Sequence, residues 1–134
     1  MISIRAFGYK KVAVDFATGG DKAFQSVTRV IRHHGRLLQT RVKARASGRP
    51  GPNVVTGDYR RSIAFQLRSQ FGDTVSGVVG TNSPQGRRLE FGFVGADSLG
   101  RHYDQPPYPH FGPAFDETIP QLLDDLSDAV VKSI

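Results

Sequence analysis

The chain has 134 residues, 38% of them hydrophobic, with 15 Gly, 8 Pro and neither Cys nor Trp, a length and composition that support one domain around a modest core. The lack of Cys excludes disulfides, thiolate metal sites and cysteine nucleophiles; no apolar run approaches the ~20 residues that cross a bilayer, and Met1-Ile2-Ser3-Ile4-Arg5 lacks the apolar centre of a secretory signal. A protein made in the cytoplasm with no membrane partner is expected. The net charge of +6 divides into 14 Lys/Arg against 3 Asp/Glu over residues 1–70 and 4 against 9 over residues 71–134, a polarity that suits either a face for nucleic acid or head-to-tail attraction between copies.

Residues 2–7 alternate as a short strand that Gly8 closes, and residues 10–18 read as a short helix or turn ended by Gly19-Gly20. A long helix is predicted from about 21 to 46, with Asp21 as its N-cap. Its apolar stripe is Phe24, Val27, Ile31, His34, Leu38 and Val42, widened by Val30 and Leu37. Gly35 weakens the run. Arg29, Arg32, Arg36, Arg41, Lys43 and Arg45 occupy the rest of its surface, and Arg49 follows in a Gly/Pro loop, 47–55, that reads as an extended arm.

Thr56-Gly57-Asp58-Tyr59 begins a helical turn, with Thr56 capping and Gly57 bending the chain where a side chain would clash. Ser62–Arg68 and Thr74–Gly80 alternate as two strands joined by a turn at Phe71-Gly72-Asp73. Residues 81–86 form a loop, 87–94 fit a helical turn or a strand, and 95–112 read as an extended loop rich in Gly, Pro and aromatics. A final helix is predicted over roughly 113–133, carrying Phe115, Ile119, Leu122, Leu123, Leu126, Ala129 and Val130 on one side. Asp116 and Glu117 suit its positive end, and Pro120 marks either a kink or the true start. The expected fold is therefore α+β: a long N-terminal helix and a C-terminal helix packed on a small antiparallel β-sheet, with extended Gly/Pro-rich loops.

Chemistry is sparse in this pattern. His33 and His34 are adjacent, so on a helix they diverge by about 100° and do not chelate one ion; His102 and His110 lie in a separate loop. No G-x-S-x-G elbow and no phosphate-binding glycine loop occurs. The pairs Asp116-Glu117 and Asp124-Asp125 read as solvated helix surface. An enzyme is not expected, nor is a cofactor or a metal. Between Arg29 and Arg61 there are nine Lys/Arg against one acid, Asp58. Arg29, Arg32, Arg36 and Lys43 read as spread around the helix, with no aromatic platform among them, which suits a diffuse field along a DNA passage rather than base reading.

Three ordered segments carry a resemblance. Thr56-Gly57-Asp58-Tyr59-Arg60-Arg61-Ser62-Ile63, Leu89-Glu90-Phe91-Gly92 and Pro106-Pro107-Tyr108-Pro109-His110-Phe111-Gly112-Pro113-Ala114-Phe115 follow a long charged helix. Together they resemble the neck or tail-completion proteins of long-tailed bacteriophages (siphoviruses), described as minor tail, head-tail connector or tail-terminator proteins. The resemblance spans about 20–134. It implies a structural virion protein, hexameric by that likeness, whose ring completes the tail and joins it to the head connector. The implied partners are further copies of the chain, head-completion or connector proteins, tail-tube or tail-terminator proteins, and packaged DNA in the channel. Alternatives are a tail terminator capping the tail tube and a stand-alone basic DNA-binding protein. The motif residues assigned to fold or interface are Thr56, Gly57, Arg60, Ser62, Glu90, Phe91, Gly92, Pro107, Pro109, Phe111, Pro113 and Ala114. Arg60 or Arg61 is expected to pair with Glu90, and the prolines to stiffen the approach to the last helix, with Phe111 and Phe115 as core anchors. The Gly/Pro arms 47–55 and 95–112 are expected to order on contact with neighbours.

Overall fold

A computed structural model describes residues 2–7, 11–17, 21–49, 51–53, 56–70, 74–83, 85–96 and 99–132. Two strands, β1 (Ile2–Phe7) and β2 (Lys11–Ala17), precede the long helix α1 (Asp21–Arg45). A short helix α2 (Asp58–Ser62) leads into strands β3 (Ala64–Gln70) and β4 (Thr74–Gly80). Helix α3 (Gln85–Phe91), the hairpin strands β5 (Phe93–Ala96) and β6 (His102–Gln105), and helix α4 (Phe111–Lys132) complete the chain. The Gly8 and Gly19-Gly20 breaks, the Phe71-Gly72-Asp73 turn and the Asp21 cap fall outside the described residues or side chains.

The main sheet is antiparallel with strand order β1-β2-β4-β3, and β5-β6 form a separate two-stranded sheet. The segment read as helix or turn at 10–18 is thus, over its described residues 11–17, a central strand. Val12, Val14 and Phe16 recur every second residue, and β2 is paired on both sides, with Val14 opposite Ile4 and Gly77; this pairing decides a segment too short to fix its own structure. The β3–β4 register sets Ala64 opposite Gly80 and Gln70 opposite Thr74.

On the helix side of the sheet, β3 contributes Phe65 and Leu67 and β4 contributes Val75 and Val79. One core cluster joins Leu38, Val42, Ala46, Ile63, Val79, Phe111 and Ala114; the other joins Val27, Ile31, Val75, Leu122 and Leu126, with Phe115 packed against both. Period-3.6 apolar positions of α1 and α4 meet period-2 positions of the strands. Gly35, which weakens the helix in isolation, lets Phe65 approach: a Cβ there would clash with its ring. Ala64, Gln66 and Arg68 face the other way, beside an open groove of about 260 Å³ bounded also by Val78, Thr81 and Asn82.

The region 95–112 is not one extended loop. It holds the end of β5, all of β6 and the first residues of α4, which begins at Phe111, well before Pro120. Backbone pairing of Phe93 with Gln105 and Ala96 with His102 satisfies the donors and acceptors an extended loop would leave to water. The 47–53 arm is also built into the body: Gly51 and Pro52 are buried, and the Gly48 amide donates to the Pro52 carbonyl at 2.9 Å. No helix among the described residues is long and apolar enough to cross a membrane.

Candidate functional site: a buried Tyr–His–Glu node and two charged helix faces

The first amides of any helix lack intrahelical partners, and α4 has no acidic residue in its own first turn. Glu90, on α3, supplies the missing anion. Its Oε1 accepts the His110 amide at 2.9 Å and the Phe111 amide at 2.8 Å, and its Oε2 accepts the Gly112 amide at 3.2 Å. A carboxylate at the positive end of α4 is favourable, and burial of Glu90 to 7% exposure shields it from competing water. The expected pairing of Arg60 or Arg61 with Glu90 is replaced. Arg60 donates to the Ser47 hydroxyl at 2.9 Å and Arg61 pairs with Asp58, while Glu90 turns to the backbone donors at the start of α4. Asp116 and Glu117 do not hold the helix start either: with α4 beginning at Phe111, both lie past its first turn.

Three further hydrogen bonds lock the arrangement. The Tyr108 amide donates to the Leu89 carbonyl at 2.6 Å. Gly92 has φ +80°, and a Cβ there would lie 2.7 Å from the Gln105 carbonyl oxygen, so glycine serves both the reversal after α3 and the close passage of the proline segment. His110 is fully buried beside Glu90. Its Nδ1 lies 2.9 Å from the Tyr108 carbonyl, which only accepts, so Nδ1 carries the hydrogen; Nε2 then accepts from the Tyr59 hydroxyl at 2.6 Å. Burial lowers the His110 pKa from 6.5, opposed by the bond to Tyr108 and the charge of Glu90. Burial, and then the Glu90 charge, push the Tyr59 phenol well above its ordinary value. Tyr59, Glu90 and His110 come from the three motif segments in turn, so the motifs meet at one point.

The other motif residues serve the same junction. The Thr56 hydroxyl accepts the Asp58 amide at 3.2 Å, while Gly57, at φ +85°, holds the N-cap position of α2. Ser62 shares a 2.6 Å hydrogen bond with the Thr81 hydroxyl. Phe111 and Ala114 are core residues, Pro113 is half-buried, and Phe91, Pro107 and Pro109 are exposed.

The seven basic residues separate into two groups. Arg41 donates to the Thr118 hydroxyl at 2.9 Å, Arg45 pairs with Glu117, and Arg49 donates to the Gly51 carbonyl at 3.2 Å while stacking 3.6 Å from the Tyr108 ring centroid. These three fasten α1 and its following loop to the lead-in and body of α4. Arg29, Arg32, Arg36 and Lys43 are not spread around the helix; steps of three, four and seven residues place them along one line, on the side away from the buried stripe. None of their side chains has a hydrogen-bond or ion-pair partner among the described residues.

His34 is buried, and its Nε2 lies 2.7 Å from Asp125 Oδ2. The carboxylate accepts, so Nε2 carries the hydrogen, and the Asp125 carboxyl is lowered by this bond first and by Gln121 second. Asp125 is therefore part of the helix–helix junction, whereas Asp124 is exposed. A cavity of about 20 Å³ adjoins His34 between Ile31, Phe115 and Thr118. His33 and His102 are exposed, and no group of His, Cys, Asp and Glu suited to a metal occurs among the described residues.

Sequence alone gave Tyr59 and His110 no role of their own and set Asp125 on the solvated surface of the last helix. Their partners are non-local, and the only local signal was the position of His110 directly before the last helix. Fold and node define a two-layer α+β protein whose motif residues serve a structural junction. No family model, no curated protein and no solved structure matches the chain.

Proposed function

We propose that this chain is a structural subunit of the virion neck of a long-tailed bacteriophage, made in the host cytoplasm and assembled as a ring that completes the tail and joins it to the head connector. The observation that carries this reading is the convergence of the three motif segments on one node, Tyr59–His110–Glu90. Segments that resemble a family only as an ordered set behave as one mechanical unit. The chemistry of the node supports a non-enzymatic role. A nucleophile is accessible and has a lowered pKa, whereas the Tyr59 hydroxyl donates inward to a buried ring and its phenol is raised. Its partners are further copies of itself, six by the resemblance, the head-completion or connector protein above, and the tail-tube or terminator protein below.

The test is genetic and structural. Phage lacking this chain should accumulate filled heads and separate tails, and an image of the wild-type neck should place the two-layer fold in a ring at the joint. Normal joined virions without the chain would refute the proposal.

A further inference from the structure

Two outward faces of opposite sign take no part in the node. The line Arg29, Arg32, Arg36 and Lys43 covers 15 residues of α1, about 21 Å of helix. The residues by which α1 meets α4, namely His34, Arg41 and Arg45, lie on the opposite side of the helix. The basic line therefore looks away from α4. On α4, Asp116, Asp124 and Asp128 are exposed and share one sector about 18 Å long. Val131, 68% exposed, lies in that sector. The opposite side of α4, with Phe115, Leu122 and Leu126, packs towards the core, so the acidic sector is turned outward.

We propose that the basic line of α1 in one copy docks on the acidic sector of α4 in a second copy, in a head-to-tail contact that repeats. This rests on the ring reading above and names the two faces that make the ring. The lines match in length and are opposite in sign. They cannot meet within one chain, because each faces outward on a different flank. A two-fold contact would need both lines on one patch, so that each met its opposite on the partner at the same time; the lines lie on different flanks, so the contact is heterologous. A nucleic-acid duplex would use the basic line alone and leave the acidic sector without a role; a second copy uses both. Exposed charge pairs orient and accelerate association more than they strengthen it, and Val131 adds apolar contact at the acidic side.

The experiment uses two triple variants of the full chain. One carries Arg29→Glu, Arg32→Glu and Arg36→Glu; the other carries Asp116→Lys, Asp124→Lys and Asp128→Lys. All six positions are exposed, and circular dichroism verifies that each variant folds. Sedimentation velocity is run over a concentration series at about 50 mM and about 500 mM salt, on either side of physiological screening. The wild type should assemble, with association about tenfold weaker at high salt, as expected for a few exposed pairs. Each variant alone should stay monomeric. An equimolar mixture should assemble again, because glutamates on α1 of one meet lysines on α4 of the other. Variants that assemble like the wild type would overturn these faces while leaving the ring reading intact. A wild type that is monomeric throughout would overturn both. Loss of duplex binding by the arginine variant with assembly unchanged would make the line a phosphate site and overturn the inference.

Discussion

Removing the Glu90 carboxylate should be among the costliest single changes in this protein. Glu90→Ala strands the His110 and Phe111 amides, which donate to Oε1 in a buried setting. Each buried donor left without an acceptor costs about 1–3 kcal/mol, and loss of the anion at the start of α4 adds about 0.3–1 kcal/mol. The Gly112 amide is only partly buried and turns to water. The expected destabilisation is about 2–7 kcal/mol, a large share of the roughly 5–15 kcal/mol typical of a domain. Glu90→Gln keeps one oxygen for His110 and Phe111 but loses the charge and sets an amide donor before Gly112, so it should cost about 1–2 kcal/mol. Urea unfolding followed by circular dichroism measures both, as a midpoint shift at constant slope. Hydrogen exchange at the His110 and Phe111 amides should accelerate in parallel. Two variants within about 0.5 kcal/mol of wild type would refute the role of Glu90 as the anchor of α4.

Gly92→Ala should cost more than about 2 kcal/mol, since φ +80° is strained for alanine and its Cβ would meet the Gln105 carbonyl at 2.7 Å; thermal unfolding is the check. Burial lowers the His110 pKa, so the folded chain favours the neutral ring and the unfolded chain takes up the proton first. The His110 contribution is thus complete above pH 6.5 and lost as pH falls through its lower folded value; an NMR titration of the ring that gave a folded pKa above 6.5 would contradict this. The Asp125 carboxyl is also lowered, chiefly by its bond to His34, so its contribution is present above the ordinary value of 3.8 and is lost only as pH falls through the lower folded one. Arg45→Ala should cost no more than about 1 kcal/mol, because both members of its pair are well exposed, 37% and 45%, and the small loss should shrink further in high salt.

Local periodicity made α1, α4 and the β3–β4 pair legible, because each repeats its apolar spacing over enough residues to fix face and type. Strand β2 was illegible for the converse reason: its seven residues form a strand because β1 and β4 flank them. The node was hidden differently. Glu90 binds backbone amides 20–22 residues away, and backbone atoms leave no mark in a sequence pattern; an arginine beside a turn looked the better partner for a carboxylate. The junction of His34 with Asp125 spans 91 residues. The basic line is a separate case, since steps of three, four and seven lay open in the sequence and needed only projection onto a helix.

A buried polar node is a poor way to gain stability, since well-packed apolar groups of the same volume often do as well or better. What such a node supplies is a single geometry, because each donor and acceptor has one place to go. Here it fixes where α4 begins relative to α2 and α3, while His34–Asp125, Arg41–Thr118 and Arg45–Glu117 fix how α4 lies along α1. In the head-to-tail contact proposed above, the angle between the outward face of α1 and that of α4 sets the rotation from each copy to the next. A rotation that closes gives a ring, and one that does not gives an open filament. The residues that hold the two helices in place would therefore set ring closure without touching a neighbouring copy, which gives the buried Tyr–His–Glu constellation a structural reason to exist.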